Sequence, residues 1–230
     1  MTTQNEGFVA LSAVADSEGS KDERSKRLSE ANAPKVKSLR VDLQQIADWV
    51  RVESRVLDLG CGDGTLLAHL REQKRCHGYG VEISDDLVAE CVRSGINVIQ
   101  ANLDAGLRMF ADAMFDTVVL SQTLQAMHNA EGILREMARV ARQGVVSFPN
   151  FGHWKHAVSL LRGRMPVTRH IPYQWYDTPN IHLCTLDDFE ALATRLGLNI
   201  TGRAVFTNGS RVSTLPALRG ALAVYRFETQ

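Results

Sequence analysis

From Leu39 onward, apolar residues recur with two alternating periods. In SLRVDLQQIADWV, Leu39, Leu43, Ile46 and Val50 fall at i, i+4, i+7 and i+11, which is one face of a helix. RVLDLG at 55–60 is a short apolar run closed by glycine, the pattern of a buried strand. The alternation then repeats: GTLLAHLREQ predicts a helix, HGYGVEI at 77–83 a strand, DLVAECVRSG a helix closed by glycine and INVIQA a strand. FDTVVLS at 115–121 predicts a strand, EGILREMARVAR a helix and QGVVSFP at 143–149 a strand. TLDDFEALATRLGL at 185–198 predicts a helix whose start is marked by Thr185 as N-cap and Asp188 three residues on, a capping-box variant. ITGRAVF at 200–206 and ALAVYRFE at 221–228 supply the last two strands. Strands spaced by helices of roughly ten to fourteen residues imply parallel βαβ units with right-handed crossovers. The expected fold is a doubly wound α/β domain over 34–230 with a mostly parallel, seven-stranded sheet.

Two segments break the pattern. Residues 1–33 include DSEGSKDERSKR, a polar tract of alternating sign that buries too little apolar surface to offset chain entropy, so a disordered arm is expected. The FVALSAVA run before it is short and lacks a basic flank, so no secretory signal is expected. The second break is 151–184, FGHWKHAVSLLRGRMPVTRHIPYQWYDTPNIHLC, an insertion after the fifth strand. A helix is expected in its first dozen residues, with Trp154, Val158 and Leu161 on one face. Then come Pro166, Pro172 and Pro179, with Tyr173, Trp175 and Tyr176 between them. Long connections of this kind are lids or binding loops.

Composition narrows the function classes. The 26 basic and 26 acidic side chains cancel, which removes the basic field of a protein that binds nucleic acid through its phosphates. No apolar run approaches the ~18 residues needed to span a bilayer. Cys61, Cys76, Cys91 and Cys184 show neither a CxxC pair nor a metal-ligand spacing, and reduced thiols in the cytoplasm are the simplest account.

The richest segment is VLDLGCGDGTLL. A strand runs into Gly60-Cys61-Gly62-Asp63-Gly64 and a helix follows, which in a doubly wound sheet faces the ligand crevice. The loop is neither G-x-G-x-x-G nor a P-loop, and it carries Asp58 and Asp63 where a pyrophosphate would be repelled. Acidic groups beside a glycine turn suit a ligand with cationic groups and no phosphate. S-adenosylmethionine, with its ammonium and sulfonium, fits; so does S-adenosylhomocysteine as its demethylated form. Glu82 ends the second strand, where an acidic side chain accepts ribose hydroxyls. Asn102 and Leu103, with Asp104 beside them, follow the third strand at the place for adenine, and Ser121 ends the fourth beside the methionine end.

VLDLGCGDGTLL, YGVEIS and FDTVVLSQTLQAMHN resemble the class I S-adenosylmethionine-dependent methyltransferase fold. More narrowly, SQTLQAMHN, VSFPNFGHWKHAVSLLRGRMPVT and PYQWYDTPNIHLCTLDDFE resemble the methionine-biosynthesis protein MetW family. The resemblance implies that Asp58, Gly60, Gly62 and Glu82 contact the cofactor; the acid usual after the third strand is Asn102 here. It also implies association with homoserine O-acyltransferase, supporting or activating formation of O-acetyl- or O-succinylhomoserine, rather than an established methyl transfer. The alternative is a small-molecule methyltransferase.

No catalytic residue is assigned. His153, His156, His170 and His182 lie in the right region for a base, but the spacing names no third metal ligand and no metal is expected. No G-x-S-x-G elbow is present, so acyl transfer by this chain itself is not expected. Trp154, Arg164, Tyr173, Trp175, Tyr176, Asp177 and His182 are the expected partner or substrate surface, since Trp, Tyr and Arg are enriched as docking anchors. A lid over a small acceptor and simple packing onto the domain are the competing roles for the aromatics.

Overall fold

The computed structural model describes residues 39–229; the arm expected at 1–33 lies outside the described residues. Helix α1 (Val41–Trp49) leads to β1 (Arg55–Leu59), α2 (Thr65–Lys74), β2 (His77–Glu82), α3 (Asp85–Arg93) and β3 (Val98–Gln100). After a 3-10 turn at Leu103–Ala105 come β4 (Phe115–Ser121), a second 3-10 turn at Leu124–Ala126, α4 (Ala130–Val140) and β5 (Ala141–Pro149). The insertion carries α5 (Trp154–Leu161), and it is followed by α6 (Leu186–Arg195), β6 (Leu198–Thr207), β7 (Ser210–Arg211), α7 (Pro216–Arg219) and β8 (Leu222–Thr229).

The strands form one sheet in the order β3-β2-β1-β4-β5-β8-β6-β7. Strands β3 to β5 pair in parallel, while β8 runs antiparallel between β5 and β6. Each of the seven expected strands is present. The eighth, β7, is two residues long and folds back on β6 through Asn208 and Gly209, both at positive φ. Asn-Gly is the preferred pair for such a two-residue turn, so its signal was in the chain although the strand was too short to show a period.

Alternating side chains of the central strands feed two cores, which is why their sequences are continuously apolar. On one face Val56, Val119, Val145 and Val224 meet Ile46, Ala47 and Val50 of α1, Leu66, Leu67 and Leu70 of α2 and Cys91 of α3. On the other, Leu57, Val118, Val146, Tyr225 and Phe227 meet Ile133, Leu134 and Met137 of α4 and Leu186, Phe189 and Ala193 of α6. Helix α6 begins with the expected box: Thr185 and Asp188 each accept from the other's backbone N–H. Tyr225 is fully buried, stacks on Phe148 at 5.8 Å, and donates its hydroxyl to Glu190 at 2.7 Å, so its polar end is matched. No helix among the described residues is long and apolar enough to cross a membrane.

One glycine sets the thickness of the second core. Gly144 pairs with Phe227, whose ring fills the space a side chain would take; a Cβ there would stand 2.1 Å from the ring. Gly144→Ala must therefore displace Phe227, and chemical denaturation should show a loss of about 1–3 kcal/mol, the usual cost of overpacking. Unchanged stability would show that the ring is not confined there.

Candidate functional site

The site is built where β1, β2, β4 and β5 end. After Leu59 the chain turns through Gly60, Gly62 and Gly64, at φ of 70°, 59° and 76°, a region that side chains other than glycine's disfavour. The N–H groups of Gly60 and Cys61 both donate to the Val81 carbonyl, at 2.8 and 3.2 Å, which fastens the loop to β2. Asp63 closes the turn by accepting from the Thr65 N–H at 3.1 Å and its hydroxyl at 2.6 Å. Gly62 faces open space: a Cβ there would meet nothing within 4 Å.

Glu82 is buried beneath this loop. Its Oε1 accepts from the N–H groups of Ile83 at 2.9 Å and Ser84 at 3.1 Å, and its Oε2 from Gly62 at 2.9 Å. A carboxylate offers about four lone-pair directions, so one remains, on Oε2, for a ligand hydroxyl. Glu82 thus shapes the loop as well as facing the crevice.

Asp58, at the end of β1, is 2% exposed, and its Oδ1 is buried with no hydrogen-bond partner. Burial drives its carboxyl up to about 7; the Arg40 guanidinium opposes this and the Glu82 carboxylate adds to it. A buried oxygen without a donor is costly and asks for a partner from outside the chain.

Beside it stands a network that the sequence reading missed. Asp42, in the first turn of α1, is fully buried. Its carboxylate accepts from Gln122 Nε2 at 2.9 Å, from the hydroxyls of Ser121 and Ser147 at 3.2 Å each, and from Arg40 at 3.2 and 3.3 Å. Arg40 also donates to Ser121 Oγ at 3.1 Å, so α1 is clipped to the ends of β4 and β5. Gln122 pays in strain with a φ of 51° and is held by its N–H to the Ser147 carbonyl at 2.8 Å. The available signal was phase: Asp42 lies one helical turn before Ile46, so a charge occupies an apolar-face position.

Asn102 and Leu103 follow β3. Asn102 is exposed, and its Oδ1 accepts from the Asp104 N–H at 2.9 Å, which leaves its Nδ2 without a hydrogen bond among the described residues. Leu103 is half-buried against the core. Asp104 is engaged with His128, through its N–H at 3.0 Å and its ring at 2.8 Å, so its carboxyl sits below the usual range.

The insertion carries the expected helix, and Trp154, read as part of a partner or substrate surface, is exposed on it. Trp154 is 45% and Leu161 88% exposed, whereas His153 and His156 are buried. His153 Nδ1 caps α5 by accepting from the Lys155 N–H at 3.3 Å. His156 meets the Phe151 carbonyl at 3.1 Å and Thr168 Oγ1 at 3.4 Å. Burial lowers the pKa of both and of His170, which keeps them neutral near pH 7; the Asp42 carboxylate partly opposes this at His170. Arg164, Tyr173, Trp175, Tyr176, Asp177 and His182 all lie exposed on the 162–183 stretch, away from the glycine loop's hydrogen bonds. Trp175 and Tyr176 meet edge to face at 5.6 Å. Ile181 and His182 donate their N–H groups to the Gln125 carbonyl at 2.8 and 3.0 Å, tying the stretch to the turn after β4.

The cysteines are free. Cys61 and Cys91 lie 3.9 Å apart in the core under the loop, and burial pushes both thiols up, so they act as small protonated fillers. Among the described residues no group of three or more His, Cys, Asp or Glu is placed to hold a metal.

Asp58 has a measurable consequence for stability. Between its ordinary value of 3.8 and about 7, the folded chain holds a proton that the unfolded chain has released. Its contribution therefore falls as pH rises through that window and is flat above it. Asp58→Asn removes the slope: urea unfolding should show the variant gaining up to about 4 kcal/mol on the wild type between about pH 4 and pH 8. A difference that does not change with pH would place Asp58 in water.

The family model described as methionine biosynthesis protein MetW matches residues 40–227. The bifunctional methionine biosynthesis protein MetXA/MetW of Rhodopirellula baltica is 37% identical over 175 residues, which is 71% of this chain and 28% of that protein. The chain therefore spans less than a third of that relative's length. Among solved structures, a SAM-dependent methyltransferase of Archaeoglobus fulgidus superposes with a TM-score of 0.63 at 16% identity, over 89% of this chain and 99% of that one. An S-adenosylmethionine-dependent methyltransferase of Mesorhizobium loti gives 0.62 at 16% identity, over 84% and 99%. The sheet is that of the Rossmann-like methyltransferases, and the chain belongs to the MetW family of methionine biosynthesis proteins.

Proposed function

We propose that this chain binds S-adenosylmethionine at the glycine loop and works as a partner of homoserine O-acyltransferase in methionine biosynthesis. The observation that carries the partner role is the Rhodopirellula baltica relative, in which a MetW part is joined to a MetXA part in one chain. Fusion turns an encounter between two proteins into an intramolecular one at high effective concentration, and it is useful when the two must work together. We read the MetXA part as the acyltransferase.

The surface suits that role. Trp175 and Tyr176 are 71% and 72% exposed, and Trp154, Tyr173, Met165 and Arg164 of the same insertion are also open to solvent. Large exposed aromatics beside arginine are what protein interfaces bury at their centres.

The cofactor reading rests on Asp58 and its neighbours. The buried, unpartnered Asp58 Oδ1 is suited to the ligand's ammonium. Arg40, half-exposed and already oriented by Asp42 and Ser121, is suited to the carboxylate of the same aminoacyl end. Glu82 Oε2 keeps room for a ribose hydroxyl, and Asn102 Nδ2 and the half-buried Leu103 are suited to the adenine. A methyltransferase acting on a small acceptor is the second reading. It is favoured by the neutral His170 lying within electrostatic reach of Asp42, beside the ligand's methionine end.

Trp175→Ala separates the two. In size-exclusion runs with the acyltransferase, the variant should lose the complex, weakening it at least thirtyfold, as expected for an interface anchor worth about 2 kcal/mol. Its calorimetric affinity for S-adenosylmethionine should stay at the wild-type value. A variant that keeps the complex but loses the cofactor would place Trp175 over the pocket and support methyl transfer.

A further inference from the structure

The end of the sheet opposite the glycine loop holds a cavity of about 520 Å³. It opens between the 51–54 turn, the starts of β4 and β5 and the end of β8. Its floor is a polar row laid across three strands in register: Thr117 pairs with Gln143, and Gln143 with Glu228. One row further in, the same face is apolar, with Val119 and Val145 under α1. The last buried side chain of that helix region, Val50, belongs to the apolar core, and the polar row lies at its border.

That row is not satisfied from within. Thr117 is 3% and Gln143 8% exposed, and the Gln143 Nε2 is buried with no hydrogen-bond partner. Around it, Asp116 is taken by Arg55 at 2.8 Å through the backbone N–H and 3.5 Å through the side chain, and Glu53 by Arg75 at 2.6 Å. Arg51, Arg142 and Glu228 also line the cavity; among the described residues none of the three is within ion-pair distance of an opposite charge, although Arg142, after Arg55, helps hold the Asp116 carboxyl below its usual range. The cavity thus presents two guanidinium groups, an amide and a hydroxyl around a single uncommitted carboxylate.

We propose that this cavity binds a free α-amino acid, with its carboxylate toward Arg51, Arg142 and Gln143 and its ammonium toward Glu228. A plain anion set against the Gln143 amide would lie beside the Glu228 carboxylate in the neighbouring strand; an ammonium on the same ligand removes that conflict. The size is ample for an amino acid, and the lining holds no aromatic on which a nucleobase would stack. Val52 is the one aliphatic hydrophobic residue in the lining, so the ligand's side chain points to the open mouth and is weakly selected. This site is independent of cofactor binding and of the acyltransferase.

The test is calorimetry on the full chain. The pathway in the family's name makes L-methionine the first probe. It is compared with 4-methylthiobutyrate, which lacks the ammonium, with 3-methylthiopropylamine, which lacks the carboxylate, and with inorganic phosphate. L-methionine should bind with a Kd below about 10 mM, and each analogue and phosphate at least tenfold more weakly, because each loses one charge-assisted contact. Arg142→Ala, an exposed position whose loss leaves the cores intact, and Gln143→Leu should each weaken L-methionine at least tenfold. No binding, phosphate binding as tightly, or an Arg142→Ala variant that binds normally would overturn the proposal.

Discussion

Carboxylates withdrawn from water have to be answered by donors, and the carboxyl edge of this sheet is organised by that demand. Asp42, Asp58 and Glu82 are all buried there, and they are answered in three different ways. Asp42 is surrounded by Arg40, Gln122 and two serines. Glu82 is nearly filled by backbone N–H groups that hold the glycine loop in place. Asp58 keeps an oxygen unanswered, and its carboxyl rises to about 7 as a result. The first two tie the edge together; the third leaves it incomplete. Helix α1 is held at this edge by Asp42 and along its length by Ile46, Ala47 and Val50.

The fold was legible because its central strands are buried on both faces and its helices are amphipathic, so runs and periods stand out. Val118 and Val119, or Val145 and Val146, point to opposite cores, and neither pair tolerates a polar residue. The glycine loop was legible because positive φ three times in five residues leaves a glycine signature. The Asp42 network was not, since its members come from α1, β4 and β5 and only the register of the sheet brings them together. The same holds for Thr117, Gln143 and Glu228 at the opposite edge. Polar groups that matter through cross-strand alignment carry no local pattern.

The insertion turns its apolar stripe outward. Its helix has Trp154, Val158 and Leu161 along one stripe, which on a core helix would face inward, yet Trp154 and Leu161 are in solvent and two histidines are inside. His156 is accommodated because the Phe151 carbonyl and Thr168 hydroxyl meet its two nitrogens. What the chain leaves outside is therefore an apolar and aromatic surface, anchored at its C-terminal end to the turn after β4, where Ile181 and His182 meet Gln125, and to Asn150, which bridges to Cys184. A surface of that kind held on a rigid edge is suited to a protein partner, and its anchor is the same turn that carries Gln122 to Asp42.

The central claim is that this chain supports homoserine O-acyltransferase instead of doing the acyl transfer itself. The most direct measurement is the initial rate of O-acylhomoserine formation by that enzyme from the same organism, alone and with this chain added in equimolar amount. The account predicts a clear rise in rate, or recovery of an enzyme inactive by itself, that saturates at a fixed ratio of the two proteins. A rate that is the same at every ratio would contradict it.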